Sequence, residues 1–194
     1  MRKFLAIGFL YLLACVLGVS AIRAETAILG ETGSAGSYFN TTNRIRALLR
    51  TATQDGTLDS IYVYVANVQT GAVAKGVLYD STTLVLVDST AEKTLSADGG
   101  SFHWEGFAFE YGAQIDSGKT YLLGIFVGST NVGVTRVPAA DSRYYADYTY
   151  ASGVPQTLSG GTWANDQLHQ IYVVYTVATT TTPGVTHRRR AVIE

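Results

Sequence analysis

The chain has 194 residues, of which 24 are threonine, 20 glycine and 13 tyrosine, against 6 glutamate and 4 lysine. Threonine and tyrosine favour strands whereas glutamate and lysine favour helices, so the composition excludes a mainly helical protein. With 15% charged residues, 47% hydrophobic residues and a formal net charge of −1, the chain is neither disordered nor a polycation that coats nucleic acid.

The N-terminus has the pattern of a secretory signal peptide. Arg2 and Lys3 precede an apolar run over residues 4–19, and Ala21 or Ala24 supplies the small residue needed for cleavage. A retained membrane helix is the alternative. However, glycine and serine lower the hydrophobicity of the run, which is already near the minimum length for spanning a membrane. We predict a leader that ends at Ala24, a secreted or cell-surface protein, and no membrane span after cleavage.

Cys15 is the only cysteine in the sequence. The segment Leu12-Leu13-Ala14-Cys15 is similar to the lipobox at which bacterial lipoproteins are cut and acylated, although Tyr11 occupies the preceding apolar position. If the leader is instead removed whole, the mature chain has no thiol for a disulfide, a catalytic nucleophile or a metal ligand.

Short runs of alternating residues follow the leader. Over residues 44–51, the apolar residues Ile45, Ala47 and Leu49 occupy odd positions while arginines occupy most of the even positions. This alternation is typical of a half-buried strand. Over residues 61–65, isoleucine and valine alternate with Tyr62 and Tyr64. Similar runs recur at 73–79, 84–87, 102–109, 120–127, 132–137, 144–150 and 168–177.

Turns rich in Gly, Asp and Ser separate these runs, and none has a helical period. We predict an all-β fold, a single jelly-roll-type β-sandwich of about eight to ten antiparallel strands over residues 25–177. The alternation of odd and even positions along these runs predicts eight residues that are buried in one core: Ile61, Val63, Val77, Phe107, Leu122, Ile125, Val173 and Tyr175.

The C-terminal segment, residues 178–194, has no apolar period and is predicted to be a Thr-rich linker and a basic tail. Residues 25–177 contain 8 Lys plus Arg against 14 Asp plus Glu, so the body is acidic while the tail is basic. The tail is either a solvated end or a tether to an anionic surface or to the acidic body of a neighbouring subunit.

Several local patterns occur in an order that is similar to a known family. They are GTLDSIYVY (56–64), GVLYD (76–80), Trp104 with Phe107 and Phe109, GKTYLL (118–123) and IYVVYT (171–176). Together they resemble extracellular jelly-roll domains of the carbohydrate-binding-module type, which recur in bacterial and archaeal surface proteins with alternative anchors. The resemblance spans about residues 30–177 and implies a fold and an extracellular location, but no agreed catalytic residues.

Motifs for catalysis are incomplete. The segment GKT (118–120) lacks the first glycine of a phosphate-binding loop, because Ala113 occupies that position, and a strand rather than a helix follows. No Gly-x-Ser-x-Gly elbow nominates a serine nucleophile. Glu105 and Glu110 are an odd number of residues apart, which sends them to opposite faces of an extended chain. We therefore predict that the protein is not an enzyme.

Aromatic residues are better candidates for ligand binding. Tyr144, Tyr148 and Tyr150 share one parity and would form a face on which sugar rings or another flat partner stack; the alternative is that this face belongs to the core. Trp163 follows a glycine-rich segment and is predicted to lie in an exposed binding loop. Trp104 lies in the middle of a predicted strand and is assigned to the core.

Asp80 and Asp141 lie at predicted turns and are candidate ligands for a structural calcium ion, although aspartate also favours turns without metal. No other cofactor is predicted. His169 shares the parity of Ile171 and Val173, which predicts a histidine at the edge of the core.

These observations lead to one main hypothesis and two alternatives. The main hypothesis is a secreted, noncatalytic domain that binds a polysaccharide or another extracellular surface. The first alternative is a self-associating structural subunit of a surface layer or fibre, and the second is a polysaccharide-active enzyme.

Overall fold

The computed structural model describes residues 22–34, 36–128 and 130–180. Most of the predicted leader, including Cys15, and residues 181–194 of the predicted C-terminal linker and tail (178–194) lie outside these described residues. Within them, Thr26–Val177 form one compact unit. None of the described segments forms a helix long and apolar enough to cross a membrane.

Strands dominate the described residues, and a single 3-10 turn at Tyr150–Ser152 is the one helical element among them. The strands are β1 (Ile22–Gly30), β2 (Ser37–Thr41), β3 (Arg44–Thr51), β4 (Gly56–Ala66), β5 (Val73–Asp80), β6 (Leu86–Ser89), β7 (Lys93–Thr94), β8 (His103–Ala108), β9 (Gln114–Ile115), β10 (Thr120–Val127), β11 (Val132–Pro138), β12 (Arg143–Asp147), β13 (Thr162–Ala164), β14 (Gln167–Leu168) and β15 (Ile171–Thr180).

The strands form two antiparallel sheets that pack as a sandwich. In the larger sheet, one edge of β4 pairs with β15 and then β11, and its other edge pairs with β9 and then β8. β1 lies beyond β15, β2 lies beyond β11, and β14 pairs with the end of β11. The smaller sheet has the order β13-β12-β3-β10-β5-β6, with β7 beside β5. The predicted all-β sandwich is confirmed. The structure adds β1, a nine-residue strand that spans the predicted cleavage site, and five strands of two to five residues that are too short to show a period in the sequence.

The main core lies between the two sheets. Six of the eight predicted core residues belong to it: Ile61, Val63, Phe107, Ile125, Val173 and Tyr175. A bulge in β4 extends this core, because Val174 pairs with Ser60 while Tyr175 pairs with Leu58, which leaves Asp59 as the extra residue. Leu58 therefore points inward together with Ile61, despite their opposite parity.

A second apolar cluster, here called the second core, covers the other side of the smaller sheet. Its largest fully buried side chains are Tyr79, Phe126 and Tyr144. Val77 and Leu122 also lie here, so the prediction of one core is wrong at these two positions, although both side chains are buried. The physical reason is that the smaller sheet is covered on both sides. A central strand such as β10 therefore has apolar residues at both its odd and its even positions.

The chain that follows β12 covers the second core. Leu158 is buried there, and Val154 packs against the cluster. The Tyr79 hydroxyl donates a 2.8 Å hydrogen bond to the carbonyl of Pro155, and the Leu158 N–H donates to the carbonyl of Leu84 at 2.9 Å. These bonds satisfy polar groups that the covering segment would otherwise bury without a partner.

His169, which was predicted at the edge of the core, is fully buried. One ring nitrogen, Nδ1, lies 2.8 Å from the carbonyl oxygen of Thr135 and donates to it in the neutral tautomer. Burial lowers the pKa of His169 to about 4, and the positive charges of Arg46 and Arg143 lower it as well. The imidazole is therefore neutral at pH 7.

Replacing Phe107 with alanine tests the main core. The ring is 3% exposed, so its removal leaves a cavity, and we expect Phe107→Ala to lower the free energy of unfolding by about 3–5 kcal/mol. Urea denaturation measures this change. Tyr111→Ala is the control because Tyr111 is 82% exposed, and we expect it to change stability by less than about 0.5 kcal/mol. Equal losses in the two variants would contradict the observed register of β8.

Candidate functional site: an exposed aromatic face

Six aromatic side chains cover the outward side of the larger sheet in an unbroken run. They are Tyr38 of β2, Tyr62 and Tyr64 of β4, Phe102 just before β8, Trp104 of β8 and Tyr172 of β15. We call this set the aromatic face. On β4 and β15 this orientation follows from the pleat, because successive side chains of a strand point to opposite sides and the chain neighbours Ile61, Val63, Ile171 and Val173 lie in the main core.

Each ring of the aromatic face contacts the next. Tyr62 and Tyr172 are stacked with centroids 4.9 Å apart and an interplanar angle of 11°. Trp104 lies 5.0 Å from Tyr172 on one side and 5.0 Å from Tyr64 on the other. Phe102 continues the run, at 5.8 Å from Tyr64 and 6.1 Å from Tyr38.

Two glycines allow rings at both ends of the run to lie close to the sheet. Gly106 pairs with Tyr62 across β4 and β8, and a Cβ at Gly106 would lie 2.6 Å from Cε1 of the Tyr62 ring. A Cβ at Gly133 of β11 would likewise lie 2.6 Å from Cδ2 of the Tyr38 ring. The glycines therefore make room for rings that pack onto the backbone rather than standing upright.

The aromatic face is accessible from solvent. Tyr38 is 38% exposed and Phe102 is 40% exposed, and the other four rings are half-buried against one another. Burial raises the pKa of Tyr172, and the neighbouring Tyr62 raises it further. Tyr172 is therefore neutral at pH 7, and it presents an apolar ring together with a hydroxyl that both donates and accepts hydrogen bonds.

Tyr144, Tyr148 and Tyr150 lie elsewhere, on the second core. Tyr144 is 1% exposed, and burial raises its pKa to about 12. The Tyr148 hydroxyl bonds to the backbone of Ser159, and the Tyr150 ring packs 4.8 Å from Phe126. The structure thus favours the core alternative for these tyrosines over an open stacking surface.

For the two tryptophans, the predicted exposure of Trp163 is confirmed, but its predicted loop and the predicted core position of Trp104 are wrong. Trp163 is 46% exposed, but it lies in the short strand β13 rather than in a loop, edge-on to Tyr144 at 5.1 Å. Trp104 was expected in the core, and this is wrong, because it lies half-buried on the outward side of β8. The sequence indicates this orientation, because Trp104 and Phe107 are an odd number of residues apart on one strand. Their side chains therefore point to opposite sides, and Phe107 is the buried one.

The candidate calcium ligands each bind groups of the protein itself. Oδ1 of Asp80 accepts the backbone N–H groups of Thr82 and Thr83 at 2.9 and 2.8 Å, and these bonds lower the pKa of Asp80. Asp141 forms a two-pronged ion pair with Arg50, with distances of 3.0 and 2.6 Å. Across the described residues, no group of three His, Cys, Asp or Glu side chains is arranged to hold a metal ion.

Glu105 and Glu110 do not converge on one cleft. Glu105 is buried and accepts hydrogen bonds from Lys93 Nζ at 2.6 Å and the Ser96 N–H at 2.8 Å, while His103 Nε2 lies 3.1 Å away. Burial would raise the pKa of Glu105, but these bonds outweigh it and hold the pKa below its usual value. Glu110 is exposed, as the odd spacing predicts.

Comparison with known proteins identifies no relative by sequence. No protein-family model matches the chain, and no curated protein matches it. Among solved structures, the T=1 particles derived from infectious bursal virus show 12% identity and a TM-score of 0.32, over 81% of this chain and 41% of that chain. The T13 IBDV viral particle shows 13% identity and a TM-score of 0.31, over 82% and 41%. The chain thus spans less than half of those chains, and similarities of this size carry no argument about its function.

A double-mutant cycle tests the packing of the aromatic face. The new methyl group of Gly106→Ala would displace the Tyr62 ring, and we expect a loss of about 1–3 kcal/mol in the free energy of unfolding. In a Tyr62→Ala background the same change should cost much less, because the clash is absent. Chemical denaturation of the four chains measures this coupling, and near-ultraviolet circular dichroism reports the Tyr62–Tyr172 stack. Equal costs in both backgrounds would contradict the observed ring position.

Proposed function

We propose that the protein is an exported, noncatalytic binding domain and that its aromatic face binds a neutral polysaccharide. The observation that carries this proposal is the run of six contacting rings on the outward side of a sheet. The resemblance of the sequence to carbohydrate-binding-module-like domains supports the same class of ligand. The leader pattern at Arg2, Lys3 and residues 4–19 supports an extracellular location.

The chemistry of a pyranose ring suits this surface. Its axial C–H groups form an apolar face that packs on an aromatic ring by dispersion, while its hydroxyl groups remain in water or bond to tyrosine hydroxyls. Successive sugar units require successive rings, and a sheet holds such rings at fixed spacing with little loss of side-chain entropy on binding. An open run of contacting rings along a sheet therefore fits an extended chain better than a small molecule that must be enclosed.

A binding screen on polysaccharides tests the proposal. We expect the intact chain to bind at least one neutral polymer, such as cellulose, chitin, xylan or a glucan, in pull-down and affinity electrophoresis. Trp104→Ala and Tyr172→Ala should each weaken this binding by about tenfold, because a stacked ring contributes about 0.5–1.5 kcal/mol beyond its buried area and its removal also loses that buried area.

Trp163→Ala is the matched control, since it removes the other tryptophan from a different sheet. We expect it to leave binding unchanged. If Trp163→Ala alone abolished binding, the ligand site would lie on β13, as the sequence predicts. Binding by the intact chain to none of the polymers would overturn the carbohydrate proposal.

A second candidate function, a subunit of a self-associating assembly, rests on β1. Among the described residues β1 pairs with β15 alone and no described strand pairs with its other edge, and Ile28 on this strand is 57% exposed. An open edge with an apolar side chain is a template for pairing with another chain.

Sedimentation velocity at high concentration and low salt tests this candidate. Under the assembly hypothesis the chain forms higher species, and Ile28→Lys reduces them by placing a charge at the open edge. Tyr111→Lys is the control, because Tyr111 is 82% exposed at a different position. A monomer under all conditions argues against the assembly function and leaves the binding function in place.

A further inference from the structure

Four arginines gather at one edge of the sandwich. They are Arg44 and Arg46 of β3, Arg136 of β11 and Arg143 of β12. Residues 25–177 contain only 8 Lys plus Arg against 14 Asp plus Glu, so half of the cations in an acidic body are concentrated in one place. Like charges repel, and such a concentration is not what a merely solvated surface produces.

Three of the four arginines line a cavity of about 300 Å³, here called the arginine pocket, whose lining is Phe39, Asn40, Arg44, Arg46, Arg143 and Tyr145. Guanidinium groups stack on the two aromatic rings. The guanidinium carbons of Arg136 and Arg46 lie 3.6 and 4.6 Å from the centre of the Phe39 ring. Those of Arg143 and Arg44 lie 4.9 and 5.6 Å from the centre of the Tyr145 ring. The rings hold the planar guanidinium groups in fixed orientations.

Two of the arginines have carboxylate partners. Nε and Nη2 of Arg44 donate to Asp147 at 2.5 and 2.8 Å, and Nε and Nη2 of Arg143 donate to Asp166 at 2.9 and 3.2 Å. Both carboxylates lie largely in solvent, with side chains 71% and 56% exposed. These acids neutralise the outer part of the cluster and leave its interior positive.

Arg46 is the interior charge. It is 4% exposed, and its Nε donates to Thr41 Oγ1 at 2.6 Å. Within the described part of the chain no carboxylate forms an ion pair with it. Burial, together with repulsion from Arg44 and Arg143, lowers the pKa of Arg46 to about 10, while the charge of Asp147 opposes this shift. The group therefore remains charged at pH 7.

A buried cation without a directly paired carboxylate is costly, because it loses hydration and the charge of Asp147, which lies beyond ion-pair distance, opposes that loss only in part. An oxyanion in the arginine pocket would offset this cost and would accept hydrogen bonds from guanidinium groups that the rings already orient. A planar carboxylate matches the two-donor fork of a guanidinium group especially well. The cavity is at the small end of ligand sites, so it accommodates a group of about monosaccharide size.

We propose that the arginine pocket is an oxyanion-binding site that takes a carboxylate-bearing group such as a uronic acid unit, with Arg46 as its central ligand and Arg44 and Arg143 beside it. The site is separate from the aromatic face, so the inference does not rest on the proposed function. The aromatic face suits neutral sugar rings, whereas the arginine pocket selects negative charge.

Isothermal titration calorimetry of the full chain at constant ionic strength tests the proposal. The probes are glucuronate, acetate and sulfate, with glucose as the uncharged counterpart of glucuronate. We expect saturable binding of glucuronate with one site per chain and no binding of glucose. Tighter binding of glucuronate than of acetate supports contacts between the arginine pocket and the sugar ring. Equal binding of sulfate supports the oxyanion site and identifies charge as the recognised feature.

Three variants locate the site. Arg46→Met keeps a long apolar side chain at this position but removes the charge, and we expect at least about a tenfold loss of affinity. The side chain of Arg44 is 31% exposed, so we expect Arg44→Gln to fold and to lose affinity several-fold. This variant tests the proposed site even if Arg46→Met does not fold. Arg50→Gln is the control, since it removes an arginine of the same strand that is paired with Glu31 and Asp141. Its affinity should match that of the unaltered chain.

Two outcomes overturn the proposal. One is that no anion among the probes shows saturable binding. The other is that Arg50→Gln weakens binding as much as Arg44→Gln, which would indicate a general effect of net charge rather than a site. Neither outcome bears on polysaccharide binding at Trp104 and Tyr172, so failure of one proposal is distinguishable from failure of the other.

Discussion

The strict alternation of β4 is the constraint on which the rest of the molecule depends. Ile61 and Val63 point into the main core while Tyr62 and Tyr64 point outward, so a slip of one residue would exchange the apolar interior for tyrosine. Because β4 pairs with four other strands, its register sets theirs. The bulge at Asp59 absorbs the single change of parity. The same alternation therefore makes both the core and the aromatic face.

The two sheets differ in how their outward sides are covered. The smaller sheet is covered by the second core and by the segment that follows β12, which removes Tyr144 and most of its neighbours from solvent. The larger sheet presents its rings to water. Burying the smaller sheet on both sides supplies apolar area that a 20.8 kDa chain needs, and it leaves the larger sheet free to carry an exposed surface at little cost in stability.

Periodicity in the sequence predicted the strand class and the buried positions well, because alternation is a local property. It could not say what packs against each side of a strand. Two residues illustrate this. Trp104 is predicted in the core but lies on the outward side of its sheet, whereas Tyr144 is predicted as a binding residue but lies buried in the second core. Arg46 has the parity of a solvent-facing side chain, yet it is buried, because β2 and β11 of the other sheet close over it through Phe39 and Arg136. Such contacts join residues distant in sequence and leave no period to detect.

The two tryptophans also give the two sides of the sandwich separate optical signals. Trp104 lies within 5.0 Å of both Tyr64 and Tyr172, close enough to accept excitation energy from either phenol. Trp163 lies on the smaller sheet beside Tyr144. A chain with Trp163→Phe therefore emits from one indole in the aromatic face, and a chain with Trp104→Phe emits from one indole on the opposite sheet. The emission wavelength and quenching of each chain report on the hydration of its own surface, without any added dye.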